Sequence, residues 1–285
     1  MGPDDIYLAS DSFAMRRDPS HIHNGNMRED RTASFDLVKR VNDAARRAGV
    51  IDSVAQFENL STHAQYRLPY FITAKTLKPG DRVLDWGCGN GHFSLFLESL
   101  GMRVTGYSFE PPPRCMAASE TFRFVPGSEA DPRTLPFEDA SFDAAVSCGV
   151  LEHVWETGGD ERASLNELAR VVKPGGTLLV YHLPNHTGWV EQVVRGLKLN
   201  KYVHGRRFSE PQIRELWGDA GFRVTDIGRY NALPRAEMKK MPSFLRERAS
   251  FAKFYDTVDA AAAAVLPRVC TNYFVVARSG APATS

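Results

Sequence analysis

The sequence has few cysteines, no long apolar run and no excess of either charge, and each shortage removes a class of protein. Cys88, Cys115, Cys148 and Cys270 are far apart and show no CxxC spacing. That pattern excludes a disulfide framework and a thiolate zinc site, and it reads as free thiols in a reducing compartment. No metal is expected. No apolar stretch approaches the ~20 residues that span a bilayer. The N-terminus, MGPDDIYLAS, lacks the basic-then-apolar order of a secretory signal. The expectation is a cytoplasmic protein with no transmembrane segment. Lys plus Arg number 35 and Asp plus Glu 34, a net charge of +1, so the chain as a whole has no attraction for nucleic acid or anionic lipid. Partners have to be sought locally.

What is present is enough apolar material, 43% of 285 residues, for one sizeable core. Residues 1–61 are polar and nearly balanced in charge, and they read as a helical extension or lid. Within them Phe35, Val38, Val41 and Ala45 recur at helical spacing before Gly49. A second helix is expected over THAQYRLPYFITAKTL, with Pro69 arguing for a break or a late start. From Asp81 the pattern changes to short apolar runs alternating with amphipathic segments. Strands are expected at about 82–86, 103–107, 122–125, 142–148, 176–182, 222–230 and 270–278, and helices near 91–100, 112–120, 160–172 and 209–220. Strands separated by helices imply crossover connections, hence a mostly parallel α/β sheet covered on both faces. KPGG, Lys173 to Gly176, reads as a helix stop. Segments 183–206 and 232–268 fit the alternation poorly and are candidate insertions.

The stretch VLDWGCGNGHFS carries the chemistry. Asp85 lies at the end of an apolar run, Gly87, Gly89 and Gly91 follow, and a helical pattern begins near His92. Such a loop lets a ligand lie against bare backbone at a helix N-terminus. It is not the dinucleotide fingerprint GxGxxG, because His92 occupies the third glycine position. An acid just before the first glycine would also repel a pyrophosphate; it suits a cationic ligand.

VLDWGCGNG resembles the first motif of class I S-adenosylmethionine-dependent methyltransferases. The resemblance continues in LPFEDASFDAAVSCGVLEHV, Leu135 to Val154, and ELARVVKPGGTLLV, Glu167 to Val180. It implies a Rossmann-like, seven-stranded, mostly parallel sheet whose last strand, TNYFVVARS, is antiparallel. It places a methyltransferase domain at 62–281. The implied cofactor is S-adenosyl-L-methionine, with S-adenosyl-L-homocysteine as product. Asp85 and the backbone of Gly87, Cys88 and Gly89 would hold its methionine part. Asp131 would take the adenine amino group, with Pro132 alongside. Cys148 and Gly149 would lie under the sulfonium. The family usually has an acid at the end of the second strand for the ribose hydroxyls; here that place is Ser108, followed by Phe109 and Glu110, and Glu110 is the acid within reach.

Methyl transfer from a sulfonium needs alignment and a dry pocket more than an exotic catalyst. A hydroxyl acceptor also needs a base, and His153 in VLEHV is the candidate; a role in fixing the loop is the alternative. YHLPNHTGW and HGRRFSEPQIRELWGDAGFRV are similar to the branch that methylates hydroxyl groups of small molecules, including quinone precursors. That similarity implies His182, Asn185, His186, Trp189 and His204 at the acceptor, with Tyr66 and Tyr70 from QYRLPYF. Arg67 in the same stretch would meet the cofactor carboxylate. Residues 195–248 carry 13 basic and 6 acidic side chains, a cluster for an anionic substrate, a carrier phosphate or a membrane surface, or simply a solvated helix face. Aromatics do not alternate with these bases, so nucleic acid is not an expected partner. The expected partner is a small-molecule acceptor, with a homodimer left open and the oligomeric state not readable from the sequence. N- or C-methylation, a dinucleotide-dependent oxidoreductase, and a non-catalytic S-adenosylmethionine-binding protein are the rival readings.

Overall fold

A computed structural model of the protein describes residues 31–47, 49, 59–128, 130–198, 204–235, 238, 241–246 and 248–280. Helices α1 (Arg31–Arg47), α2 (Leu60–His63) and α3 (Arg67–Thr76) precede β1 (Arg82–Trp86). Then come α4 (His92–Ser99), β2 (Arg103–Ser108), β3 (Arg123–Pro126), β4 (Phe142–Cys148), α5 (Glu161–Val171) and β5 (Val172–Pro184). The chain continues through α6 (Trp189–Gly196), α7 (Glu210–Asp219), β6 (Phe222–Tyr230), α8 (Ser243–Arg246) and α9 (Ala249–Val265) to β7 (Asn272–Ser279).

The seven strands form one sheet in the order β3-β2-β1-β4-β5-β7-β6. Neighbours are parallel except β7, which runs antiparallel between β5 and β6. This is the sheet that the strand and helix alternation implied. Successive side chains of a strand point to opposite faces, so Val83 and Leu84 enter different cores. On one face Val83, Val104, Val146 and Leu179 meet α1, α3 and α4; on the other Leu84, Ala145, Leu178 and Val180 meet α5 and α7. Both faces are dry, which accounts for near-continuous apolar runs in the central strands. Strand order reverses at β1, between β2 and β4, and the crevice beyond the carboxyl ends of these strands is where such sheets bind ligands.

Phe35, Val38, Val41 and Ala45 are buried as their spacing requires, and they join the same core as the sheet face. The first thirty residues of the expected extension lie outside the described residues. The second expected helix is divided: a 3-10 turn, Ala64–Tyr66, separates α2 from α3, and Pro69 sits in the first turn of α3, where a missing N–H costs nothing. Two expectations are corrected. The helix expected at 112–120 is only a 3-10 turn, Arg114–Met116. Three prolines, Pro111 to Pro113, enter it, and Ser119 Oγ then accepts from the amides of Thr121 and Phe122, an alternative to helical bonding. Helix α5 does stop just before KPGG, at Val171, but the strand expected from 176 starts earlier. Strand β5 begins at Val172 and carries Lys173 to Gly176 as a bulge opposite β4, between the pairs Phe142–Val172 and Ala144–Thr177. Among the described residues no helix is long and apolar enough to cross a membrane.

Candidate active site

Asp85 lies one residue from the end of β1 and is 1% exposed. Ser94 Oγ, from the first turn of α4, donates to its Oδ2 at 2.6 Å. Burial raises the carboxyl to about 6 despite that hydrogen bond. Among the described residues no cationic side chain pairs with it. A buried carboxylate held by one hydroxyl and lacking a counter-charge fits a ligand ammonium, which would restore the ionised form. The loop that follows requires glycine at two points. Gly87 has φ +77°, and a Cβ there would lie 2.3 Å from Cγ2 of Val150; Gly91 has φ +82°, and a Cβ there would lie 2.6 Å from Cβ of Pro113. The amides of Gly87 and Cys88 donate to Tyr107 O, which ties the loop to β2.

Ser108, at the end of β2, is 6% exposed, and its Oγ accepts from the amide of Glu110 at 3.1 Å. The turn brings the Glu110 carboxylate over the glycine loop, with Oε2 3.6 Å from where a Cβ of Gly89 would be. Serine and acid therefore share this place. Phe109 is 39% exposed and packs edge-on to Tyr107. Asp131 forms a small turn, its Oδ1 accepting from the amide of Thr134, and it lies close enough to help raise the Tyr107 phenol, after burial. Pro132 lies beside Gly158.

Across the crevice, Cys148 and Gly149 end β4. The Cys148 thiol is pushed well up by burial and then by Asp85 and Glu152, so it is neutral. Gly149, φ +73°, has Glu152 Oε1 and His182 Cβ at 3.8 and 3.9 Å from its would-be Cβ. The Tyr66 ring stands between His92 and His182, at 4.5 and 4.9 Å between centroids. Burial lowers His92 to about 3 and His182 to about 4, so both imidazoles are neutral at physiological pH. Burial likewise raises Glu152, 2% exposed, to about 7. His153 is more open, and its Nδ1 lies 3.0 Å from Glu156 Oε1. The His204 ring is 5.6 Å from that of His153, and its Nδ1 bonds to Glu191.

Other expected site residues are engaged in the scaffold. Tyr70 is fully buried, bonded to His63 Nε2 and stacked on Phe96 at 3.9 Å. Arg67 is buried against Asp256 of α9. Asn185 donates to the carbonyls of Arg268 and Cys270, Trp189 Nε1 donates to Ala232 O, and His186 Nδ1 meets Phe208 O. These three hold the segment after β5 against its neighbours. Among the basic residues at 195–248, Arg235 is buried on Asp256 and Asp259, Arg229 bonds to Tyr273, and Arg214 pairs with Glu210 at the surface.

Sequence reasoning passed over His92 and Glu152. His92 enters the sequence pattern as the start of a helix and as the residue that breaks a glycine motif, and Glu152 stands beside a histidine whose ordinary pKa makes it the better base. The signal for both is position: each lies within a turn of a strand's carboxyl end in a parallel sheet.

A family model described as "Methyltransferase domain" matches residues 84–180, and one described as "Tellurite resistance protein TehB" matches residues 54–111. A probable S-adenosylmethionine-dependent methyltransferase of Mycolicibacterium smegmatis is 31% identical over 162 residues, 56% of this chain and 59% of that protein. A ubiquinone biosynthesis O-methyltransferase of Xanthomonas campestris is 34% identical over 120 residues, 40% of this chain and 47% of its own length. The chain thus spans about half the length of the curated relatives it matches. Among solved structures, a Haloferax volcanii methyltransferase in complex with the Trm112 activator superposes with TM-score 0.53 at 20% identity, covering 88% of this chain and all of that one; it bears on the fold alone. A methyltransferase-domain match over β1 to β5, together with this sheet order, makes the matched part of the chain similar to the class I S-adenosylmethionine-dependent methyltransferases and gives the chain their fold.

Proposed function

We propose that the protein transfers a methyl group from S-adenosylmethionine to a hydroxyl of a small-molecule acceptor. One observation carries the choice of a hydroxyl. Nε2 of His92, Nε2 of His182 and Oε2 of Glu152 are all buried with no hydrogen-bond partner, around Tyr66 and Gly149. Nδ1 of His92 faces Asn90 Oδ1, so its N–H points there and Nε2 carries the lone pair. Buried polar atoms of this kind await a partner, and an acceptor that offers an O–H between aromatic faces supplies one. The resemblance to hydroxyl-methylating relatives agrees with this reading.

When bound, S-adenosylmethionine supplies a methyl carbon on a cationic sulfur: the C–S bond breaks as the acceptor's O–C bond forms, and the C–S electron pair stays on sulfur. Asp85 and the backbone of Gly87 to Gly89 hold the methionine end; Ser108 and Glu110 share the ribose, and Asp131 with Pro132 borders the adenine. Tyr66 and His182 bracket the acceptor. Its hydroxyl proton is removed at the mouth of the pocket by the Glu152, His153 and His204 cluster, which includes the imidazole expected as base. The N-terminal helical extension and the insertion after β5, in their described residues, close over the acceptor and exclude water.

The test is to incubate the protein with S-adenosylmethionine carrying a labelled methyl group and a panel of phenols, quinols, amines and carbon acids. The expected product carries the label on oxygen, identified by its methyl NMR shift. Label found solely on nitrogen or carbon overturns the hydroxyl assignment. Tight cofactor binding with no label transferred to any acceptor favours the non-catalytic reading.

A further inference from the structure

We propose that Glu152, His153 and His204 form a binding site for one divalent transition-metal cation, beside Gly149 at the end of β4. Each of the three offers one ligand atom, and these atoms lie within 4.8 Å of one another. His153 Nε2 is 3.9 Å from Glu152 Oε1, and the two imidazole planes are inclined at 48°. These separations suit ligands that share one ion between them.

Two further features point to a cation. Each imidazole has its Nδ1 against a second carboxylate, His153 against Glu156 and His204 against Glu191. An Nδ1–H that donates to a carboxylate puts the lone pair on Nε2 and raises its basicity, the arrangement that supports metal-bound histidines. Independently, Glu152 is 2% exposed, and its Oε2 has no hydrogen-bond partner. A buried acceptor without a donor is costly, and a cation satisfies it.

The donor set selects the class of ion. Two imidazoles and one carboxylate suit zinc, manganese, iron or cobalt, whereas magnesium and calcium prefer all-oxygen sites. Three protein ligands leave coordination positions open. The use follows from the hydroxyl reading above and rests on it: with the ion bound, the cluster would act through the cation rather than as a free base, because an acceptor oxygen on the cation gives up its proton to solvent more readily, next to Gly149. Cysteine spacing gave no hint of this site. Its ligands come from one turn and from a segment fifty residues further along, and the cation would fasten that segment over the crevice.

The experiment uses the full chain without an affinity tag, freed of metal by a chelator and then titrated with Co²⁺, read by visible d–d absorption, and with Zn²⁺, read by calorimetry. One equivalent of each ion is expected to bind. Glu152→Gln and His204→Ala should each weaken binding by about 100-fold or more, and Glu191→Gln by about 10- to 100-fold, because it orients a ligand without touching the ion. Affinity for S-adenosylhomocysteine, measured on the same samples, should hold in His204→Ala and so report an intact fold. Absence of stoichiometric binding, or binding unchanged in a folded His204→Ala, overturns the site. Hydroxyl methylation at full rate after chelation would sink the cation and leave the acceptor reading standing; one bound cation with label solely on nitrogen or carbon would do the reverse.

Discussion

Nε of Arg67 lies 2.7 Å from Oδ2 of Asp256, and neither side chain is more than 6% exposed. Asp256 also accepts from Arg235 at 3.0 Å, and Arg235 reaches Asp259 at 2.8 Å. Among the described residues, two arginines and two aspartates from α3, the loop after β6 and α9 thus form a buried network beside a cavity of about 230 Å³. Burying four charges stabilises little over an apolar packing, but removing one member leaves an uncompensated charge. Asp256→Ala is therefore expected to lower stability by about 3 to 5 kcal/mol, measured by urea unfolding. A loss under 1 kcal/mol would mean that the network is open to water. Replacing both Arg67 and Asp256 by apolar residues of similar volume should cost less than Asp256→Ala alone.

In the proposed function Asp85 holds the ammonium of the cofactor. Removing one partner of a buried charge-assisted pair costs about 2 to 5 kcal/mol, so Asp85→Ala should weaken binding of S-adenosylmethionine and S-adenosylhomocysteine by at least about 30-fold, read by calorimetry. The free carboxyl is raised to about 6, and only its ionised form attracts the ammonium. Affinity should thus rise with pH up to about 6 and then level off. An affinity flat from pH 5 to pH 8 would place the ammonium elsewhere.

The sheet was legible because period and punctuation agree. Val83 to Trp86 and Phe142 to Cys148 are apolar runs bounded by turns and buried on both faces. The stretch 112–120 misled because its composition favours helix while Pro111 to Pro113 and Ser119 decide the backbone. Around the crevice, the placement of Asp85 and the glycines at the end of β1 was readable since one short loop contains them. Arg67, Tyr70 and Asn185 were readable as polar or aromatic residues near the site, but not as scaffold. Their partners, Asp256, His63 and the carbonyls of Arg268 and Cys270, mostly come from distant parts of the chain, and no local pattern reports a contact that only the fold creates.

Gly87 carries both a backbone and a packing demand. Its φ of +77° is strained for any L side chain, and a Cβ would stand 2.3 Å from Val150. Gly87→Ala should cost about 2 to 4 kcal/mol, from the left-handed conformation and the overpacking together, and should abolish cofactor binding. Adding Val150→Ala removes the clash but not the backbone strain. The double variant should recover part of the stability, measured by thermal unfolding. Full recovery would show that sterics alone require this glycine; none would show that backbone geometry alone does.

His92 links the proposed acceptor pocket to the pH dependence of folding. It is 7% exposed, its Nε2 has no partner, and burial lowers it from the ordinary 6.5 to about 3. A histidine whose folded pKa is depressed is neutral in the native state while the unfolded chain takes up a proton below pH 6.5. The unfolded state then binds more protons, so stability is present in full above pH 6.5 and is lost as the pH falls toward 3. Asp85 and Glu152, raised to about 6 and 7, act in the opposite sense over much of this range, so the wild-type curve alone does not isolate His92. The difference between wild type and His92→Asn does. One proton separates them, worth about 1.4 kcal/mol per pH unit, and lowering the pH from 6.5 to 5 should shift that difference by about 2 kcal/mol in favour of the variant. Urea unfolding of both proteins across that interval measures it. Parallel curves would mean that His92 titrates as if exposed, and the pocket would then hold water rather than an unpaired imidazole nitrogen awaiting a hydroxyl.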